Sequence, residues 1–438
     1  MNPEHIEELL KKVVELMNEL NGKQIDREEL VQILVLSLFS LKHTFLLGEP
    51  GVSKTGILKI LATAIDSRKS FSITIKNDTK YEEIFGDSYR EDGGRLVSDF
   101  NNSIVEADFA IVDETWKGNS KIMNAFLSIM SDYRTVDIIG EGSVEVPLLM
   151  VGGASNELPT DIEVRPLRDR FLFSYKVEKI SGSDDWIKFA SRDYDTNPIM
   201  KTKFSPDEVR SINTLSKDVS IPDNIYKTLY AIRQKVVLLE IGVSDRKFDG
   251  AVDVFLVSAF LNKREEVDLS ELFLMKHIMW NEEKDIPKIE KILNDEIFGQ
   301  LDVVIKFIEE IENSQNKLLS VIDGQFADFL KFRRTYAYGD LEEFENKKNE
   351  IRNIIQNFLS LIKQTQSVIS HHEQNMILEQ IVDKNILVTN LYSPVYQNLK
   401  FSKVTDIYNQ LTTKKESLDR WLKKNDALHT YNMEVNSV

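Results

Sequence analysis

Apolar residues recur at helical spacing along the first forty positions. Ile6, Leu9, Leu10, Val13, Val14 and Met17 share one face of residues 4–20, a second amphipathic run covers 27–42, and Asn21-Gly22 separates the two. His43 to Leu47 is then a short apolar run that ends in GEPGVSKT, after which Ile57, Leu58, Ile60, Leu61 and Ala64 restore the helical period. This predicts strand, loop, helix. Further β-type runs at 71–76, 108–112, 148–152 and 171–176 are separated by roughly twenty residues or more, the alternation expected of an α/β layer with a parallel sheet. Within it, two β-prone runs flank Gly140-Glu141-Gly142-Ser143 and predict a hairpin over 135–147.

After about residue 180 the strand signal stops. Helical periodicity covers 184–191, 205–217, 222–240, 244–262 and 268–280, an all-α module. From Ile286 the pattern lengthens, and 288–335 and 341–380 predict two long antiparallel helices reversing at YAYGD, with 403–428 as a third. The expected domains are an α/β core over 1–180, an all-α module over 181–282 and a helical arm over 283–438.

Composition narrows the chemistry. The 438 residues carry 55 basic against 71 acidic side chains, a net charge of −16 that repels a phosphate backbone unless a local basic patch intervenes. Cysteine is absent, which removes disulfides, thiol nucleophiles and Cys-based zinc sites. His371-His372 sits in a polar helical stretch with no zinc-binding pattern. The N-terminus alternates charged and apolar residues, unlike a signal peptide, and the apolar stretch near Leu30 to Leu47 is interrupted by Ser37, Ser40, Lys42 and His43, so a soluble cytoplasmic protein is expected.

Gly48-Glu49-Pro50-Gly51-Val52-Ser53-Lys54-Thr55 nearly matches the phosphate-binding loop G-x-x-x-x-G-K-[ST], with Ser53 at the second glycine. A strand before it and a helix after it would aim backbone N–H groups at phosphates, with Lys54 reaching the β- and γ-phosphates and Thr55 offering its hydroxyl to Mg²⁺. About sixty residues on, the strand DFAIV ends in Asp113-Glu114; the first carboxylate falls where Mg²⁺ would sit and the second where a general base would meet water. Asn156 ends another strand at the same sheet edge, placed to bond a γ-phosphate or the lytic water. Arg165, Arg168 and Arg170 cluster in VRPLRDRF, and Arg246 opens a helix of the all-α module; taken singly each is an ordinary surface arginine.

GEPGVSKT, IVDETWKGNSKIMNAFLSIM, GASNELP, LRDRF and VSDRKF follow one another in the order found in AAA+ ATPases, and the set resembles the MoxR family and, within it, the RavA-type subgroup. Ser53 fits, because a small residue at that loop position is typical there. The similarity runs from about residue 3 to residue 280. The resemblance implies an AAA+ core with a helix insert at TKYEEIFGDSYREDGGRLVSDFNNSIVEADF, a pre-sensor-1 hairpin at 135–147, an all-α lid and an elongated helical arm. It also implies that Asn156 is sensor 1, that Arg170 is an arginine finger for the neighbouring subunit, with Arg165 and Arg168 able to exchange roles with it, and that Arg246 is sensor 2. ATP and Mg²⁺ would be the cofactors. The working form would be a homohexameric ring that remodels a protein client together with a von Willebrand factor A-type protein. Two other readings are an ATP-dependent nucleic-acid motor, which the net charge disfavours, and a nucleotide-gated scaffold, which the intact Asp113-Glu114 pair disfavours. Residues Lys23 to Asp26 are expected to border the nucleobase.

Overall fold

A computed structural model describes residues 3–298, except 67–68, 91–95, 139–140 and 160–163, together with ten positions between 346 and 416. The chain forms two compact units, residues 1–297 with 381–392 and residues 298–380 with 393–438. In the first unit, two helices, α1 (Pro3–Gly22) and α2 (Glu28–Phe39), lead into β1 (His43–Leu47) and α3 (Lys54–Ala62). The sheet continues with β2 (Ser70–Thr74), β5 (Phe109–Asp113), β8 (Met150–Ser155) and β9 (Phe171–Lys176). Its order is β2-β5-β8-β1-β9 and every pairing is parallel, as the alternation of strand and helix patterns predicts.

β1 is buried at all five positions, and every residue of α2 from Leu30 to Phe39 is buried. The amphipathic pattern expected for 27–42 is thus overridden, because α2 packs against α1, β1, β9 and two later helices. Two glycines in β8 let both faces close in. A Cβ on Gly152 would lie 2.6 Å from Leu58, and one on Gly153 would lie 2.7 Å from Phe171. Phe171 also belongs to an aromatic cluster with Phe45 and Trp116, with centroids 4.8–5.9 Å apart.

The insertion after β2 holds one turn of helix, α4 (Glu82–Phe85), and an antiparallel pair, β3 (Asp87–Arg90) with β4 (Leu96–Asp99), where a helix insert was expected. Gly86 turns the chain between them at φ +88°, which closes the helix after a single turn. The hairpin appears as β6 (Thr135–Ile138) paired with β7 (Gly142–Glu145), as its sequence predicts.

α5 (Ser120–Ile129) follows β5, and α6 (Arg165–Arg170) runs directly into β9. The helical module comprises α7 (Ser183–Ser191), α8 (Pro206–Leu215), α9 (Asp223–Leu238), α10 (Asp245–Leu261) and α11 (Ile286–Phe298). Residues Leu269–His277, read as an α-helix from sequence, form a 3₁₀ helix. Burial of nearly every residue there, and the tie of Glu271 to Arg264, Ser258 and the Asp268 N–H, draw the segment tighter than an α-helix. Trp280 ends this stretch in the core and donates to Ser174 O in β9 at 3.0 Å, joining the helical module to the sheet.

In the second unit, Asn346, Asn349, Asn353, Gln356, Ser360 and Lys363 are helical and exposed, spaced as one polar helix face. Asn409, Thr412, Thr413 and Glu416 are helical as well. The rest of the expected arm, its reversal and His371-His372 lie outside the described residues.

Candidate functional site

The loop GEPGVSKT leaves β1 and enters α3 as its sequence context predicts. Gly51 (φ +87°) and Ser53 (φ +64°) are both left-handed, so Ser53 adopts the conformation for which the phosphate-loop pattern uses glycine. Gly56 makes room for it: a Cβ there would lie 2.3 Å from Ser53 Oγ. Gly48 is equally constrained, since a Cβ would lie 2.5 Å from Val177 O at the end of β9.

Lys54 is buried, with 7% of its surface exposed, and its ammonium spends three donors on Gly48 O (2.7 Å), Glu49 O (2.9 Å) and Asn156 Oδ1 (2.6 Å). Burial draws its pKa below the ordinary lysine value, against the opposing pull of Asp113 and Glu114. Asn156 in turn donates from Nδ2 to Glu114 Oε1 at 3.3 Å, while Lys117 Nζ lies 3.0 Å from Glu114 Oε2. Thr55 Oγ1 donates to Asp113 Oδ2 at 3.0 Å. The carboxyl ends of β1, β5 and β8 therefore bring together Lys54, Thr55, Asp113, Glu114 and Asn156, the five residues that the sequence pattern singles out.

Three features missed from sequence hold this arrangement. Thr115 donates from Oγ1 to Val112 O (2.9 Å) and accepts from Ala154 N (3.0 Å), pinning the end of β5 to β8 and so fixing Glu114 against Asn156. Glu114 itself has φ +53°, a conformation that costs about 1–3 kcal/mol and that a site retains when it aims a side chain. Lys117, three residues further, carries no motif that marks it. Only its place in DETWKGN, one short turn beyond the acidic pair, could have signalled it.

Hydroxyl and carboxylate oxygens suit Mg²⁺, so Thr55 and Asp113 fit a hard cation. Among the described residues no group of three His, Asp or Glu converges, so the remaining ligands of such an ion would be phosphate and water.

Beside the loop lies a cavity of about 490 Å³ lined by Lys23, Gln24, Ile25, Gly51 to Ser53, Ile180, Trp186, Phe189 and Tyr194. Lys23, Gln24 and Ile25 fall within the stretch expected to border a base. The aromatic wall comes from α7 and the turn after it. α7 buries none of its residues, and Trp186 is 59% exposed.

The arginines gather elsewhere. Arg170 directly precedes Phe171, which pairs with His43 at the start of β1, whereas the phosphate loop follows Leu47 at its end. Four residue steps of about 3.3 Å set the two edges about 13 Å apart. Arg170 lines a cavity of about 900 Å³ with Arg134, Arg210 and Arg246, and its Nε has no partner among the described residues. Arg246 lies 4.0 Å from Asp169 on the same side, so the structure groups it with Arg170 and away from the phosphate loop of its own chain. Arg168 is buried, and desolvation draws its pKa down to about 10; Arg165 is exposed beside a separate cavity. Arg134 and Arg210 escaped sequence reasoning because each lies outside the VRPLRDRF cluster.

A parallel α/β layer with a phosphate loop, an acidic pair and an amide on one edge, and arginines on the other, defines a P-loop nucleotide-binding protein of the AAA+ type. Comparison with known proteins assigns the family. Residues 11–213 match the model of the MoxR domain in the MoxR-vWA-beta-propeller ternary systems, and residues 224–293 match an AAA lid domain. An uncharacterized protein of Methanocaldococcus jannaschii is 32% identical over 71% of this chain and 81% of its own length. Chaperone MoxR1 of Mycobacterium tuberculosis is 30% identical over 35% of this chain and 41% of its own. The crystal structure of a candidate ATPase from Cytophaga hutchinsonii superposes with a TM-score of 0.53 at 18% identity, covering 66% of this chain and 96% of that one, a likeness of fold. The chain belongs to the MoxR family of AAA+ ATPases. The RavA-type subgroup stays a resemblance of motifs.

Proposed function

We propose that this chain hydrolyses ATP at sites shared between adjoining copies. The observation that carries the reading is the division of the machinery: Lys54, Thr55, Asp113, Glu114 and Asn156 share one sheet edge, and Arg170 and Arg246 share the other. In this reading the N–H groups of the loop from Gly48 to Thr55 and the Lys54 ammonium bind the β- and γ-phosphates, and the cavity walled by Trp186 and Phe189 takes the base. Mg²⁺, held by Thr55 and Asp113, would neutralise phosphate charge. Glu114 accepts the proton of the lytic water, and Asn156 orients that water. Arg170 and Arg246 of the next copy meet the charge that develops on the transferred phosphoryl group, an effect worth about 10³–10⁵ in rate.

The assembly would be a homohexameric ring at work in the cytoplasm, remodelling a protein client. A von Willebrand factor A-type partner follows from the ternary systems for which the matched family model is named, and the client role from the chaperone name of one relative. Among the described residues no helix is long and apolar enough to cross a membrane. The test is the specific rate of ATP hydrolysis against protein concentration. The parent's rate per subunit should rise with concentration, and that of Arg170→Ala should stay flat and low. A parent rate independent of concentration would refute the shared site.

A further inference from the structure

Arg168 sits on α6 with 9% of its surface exposed, and its Nε and Nη2 are both buried without a hydrogen-bond partner among the described residues. A desolvated cation that lacks an acceptor is destabilising, so this edge of the guanidinium calls for a ligand. Neighbouring carboxylates do not supply one. Glu282 lies 2.5 Å from Lys284, Asp285 lies 3.6 Å from Lys288 and Asp169 accepts from Ser244 Oγ at 2.6 Å, while among the described residues no carboxylate comes within 4.0 Å of Arg168. Arg168 walls a cavity of about 820 Å³ that Arg165, Lys284 and Lys288 also line, together with Leu239 and Gly242 of the helical module. A second buried cation stands close enough to feel its charge. Lys247 in α10 is 1% exposed and spends one donor, on Ile278 O at 2.8 Å. Burial, and after it the charge of Arg168, draws the Lys247 pKa down to about 8 against the pull of Asp169.

We propose that the cavity beside Arg168 binds a tetrahedral dianion of the phosphate type, held by Nε and Nη2 of Arg168 and offsetting the charge of the Arg168 and Lys247 pair. Two N–H groups on one edge of a planar fork match two oxygens of a single anion, a geometry that chloride cannot use. Two neighbouring cations favour a double negative charge over the single charge of a carboxylate. The cavity is larger than inorganic phosphate needs, so it also admits a phosphate carried on a small organic group. It shares no lining residue with the phosphate loop, which makes it a site separate from the nucleotide's. Occupied, it would join α6 to the helical module and make the seat of that module on the sheet depend on phosphate.

Because the phosphate loop also attracts phosphate, the experiment uses the full chain carrying Lys54→Ala, which removes the loop's cation. Thermal melting is compared in phosphate and in chloride at matched ionic strength, alongside a calorimetric titration with phosphate. At about 20-fold above a Kd of about 1 mM, phosphate should raise Tm by about 2–5 °C, and the titration should show one site. Adding Arg168→Met should abolish both signals. In chloride this variant should melt no lower than its background, since an uncompensated buried charge is gone. Arg168→Lys keeps the charge without the fork and should weaken phosphate binding by about tenfold or more, which decides the matter even if Arg168→Met fails to fold. Glycerol 3-phosphate separates the two sources of the anion: binding tighter than inorganic phosphate marks an organic phosphate as the ligand, and equal or weaker binding marks the free ion. A Tm shift that chloride reproduces, phosphate binding that survives Arg168→Met, or an Arg168→Lys affinity equal to that of its background overturns the proposal.

Discussion

Glu29 offers a quantitative test of how the helical module is fastened to the sheet. Its carboxylate sits in α2, 22% exposed, with Lys276 Nζ at 3.2 Å, His277 Nε2 at 3.0 Å and the Tyr175 hydroxyl donating at 3.1 Å. Lys276 also reaches Glu290 in α11 at 3.1 Å, so one carboxylate ties α2, β9, the 3₁₀ segment and α11 together. Burial alone would raise the pKa of Glu29, but His277 and Lys276 outweigh it and bring it from 4.5 to about 2. At about 1.4 kcal/mol per pH unit this is a ceiling of about 3.4 kcal/mol, and partial exposure reduces it to about 2. Because the folded-state pKa is depressed, this stability is fully present above pH 4.5 and is lost as the pH falls through 2. Glu29→Gln should therefore lower stability by about 2 kcal/mol at pH 7, with a Tm lower by about 4–8 °C. The difference should stay nearly whole at pH 5 and shrink steeply towards pH 3. Urea unfolding followed by circular dichroism at those pH values measures it, and a difference between parent and variant that is the same at pH 7 and pH 3 would refute the reasoning.

Other outcomes follow from the site. Lys54→Ala and Arg170→Ala should each be inactive alone but regain part of the activity when mixed, because each supplies the half that the other lacks; complementation in an ATPase assay checks it. Ser53→Gly should stabilise the fold by about 1 kcal/mol by relieving the left-handed conformation, which thermal melting reads. Gly48→Ala should destabilise by about 1–3 kcal/mol and weaken nucleotide binding, since its Cβ would lie 2.5 Å from Val177 O; melting and nucleotide titration test both. Trp186→Ala should raise KM for ATP with little change in kcat, because the ring walls the cavity beside Gly51 to Ser53 and touches no reacting group.

The elements legible in the sequence were those whose pattern is set locally. A run such as DFAIV is read directly because a central parallel strand is apolar on both faces, and the phosphate loop is read because its backbone conformation demands particular residues. α2 reads as amphipathic because Gln32, Ser37 and Ser40 interrupt its apolar run, yet the fold buries all three, pairing Ser37 with Thr44 at 2.7 Å and Ser40 with Leu36 O at 2.6 Å. β3 and β4 are too short and too polar to announce themselves. The site divides the same way. Lys54, Asp113 and Asn156 are legible as motif residues at strand ends, whereas the grouping of Arg246 with Arg170 depends on how α10 packs against β9 and α2, which no local spacing encodes.

Under the proposed sharing of sites, the placement of the two halves on opposite edges of one sheet gives the chain a direction. Copies that meet through these edges join head to tail, a contact that does not use itself up in a pair. A row of any length then has one loop at its head without arginines and one arginine pair at its tail without a phosphate to meet. Adding copies moves these unmatched ends apart but never removes them. Closure alone does so, and the number of copies at closure is set by the angle between neighbours. The last copy to join thus completes two sites at once, its own and that of the copy it meets, so turnover per chain would report whether the circle is whole.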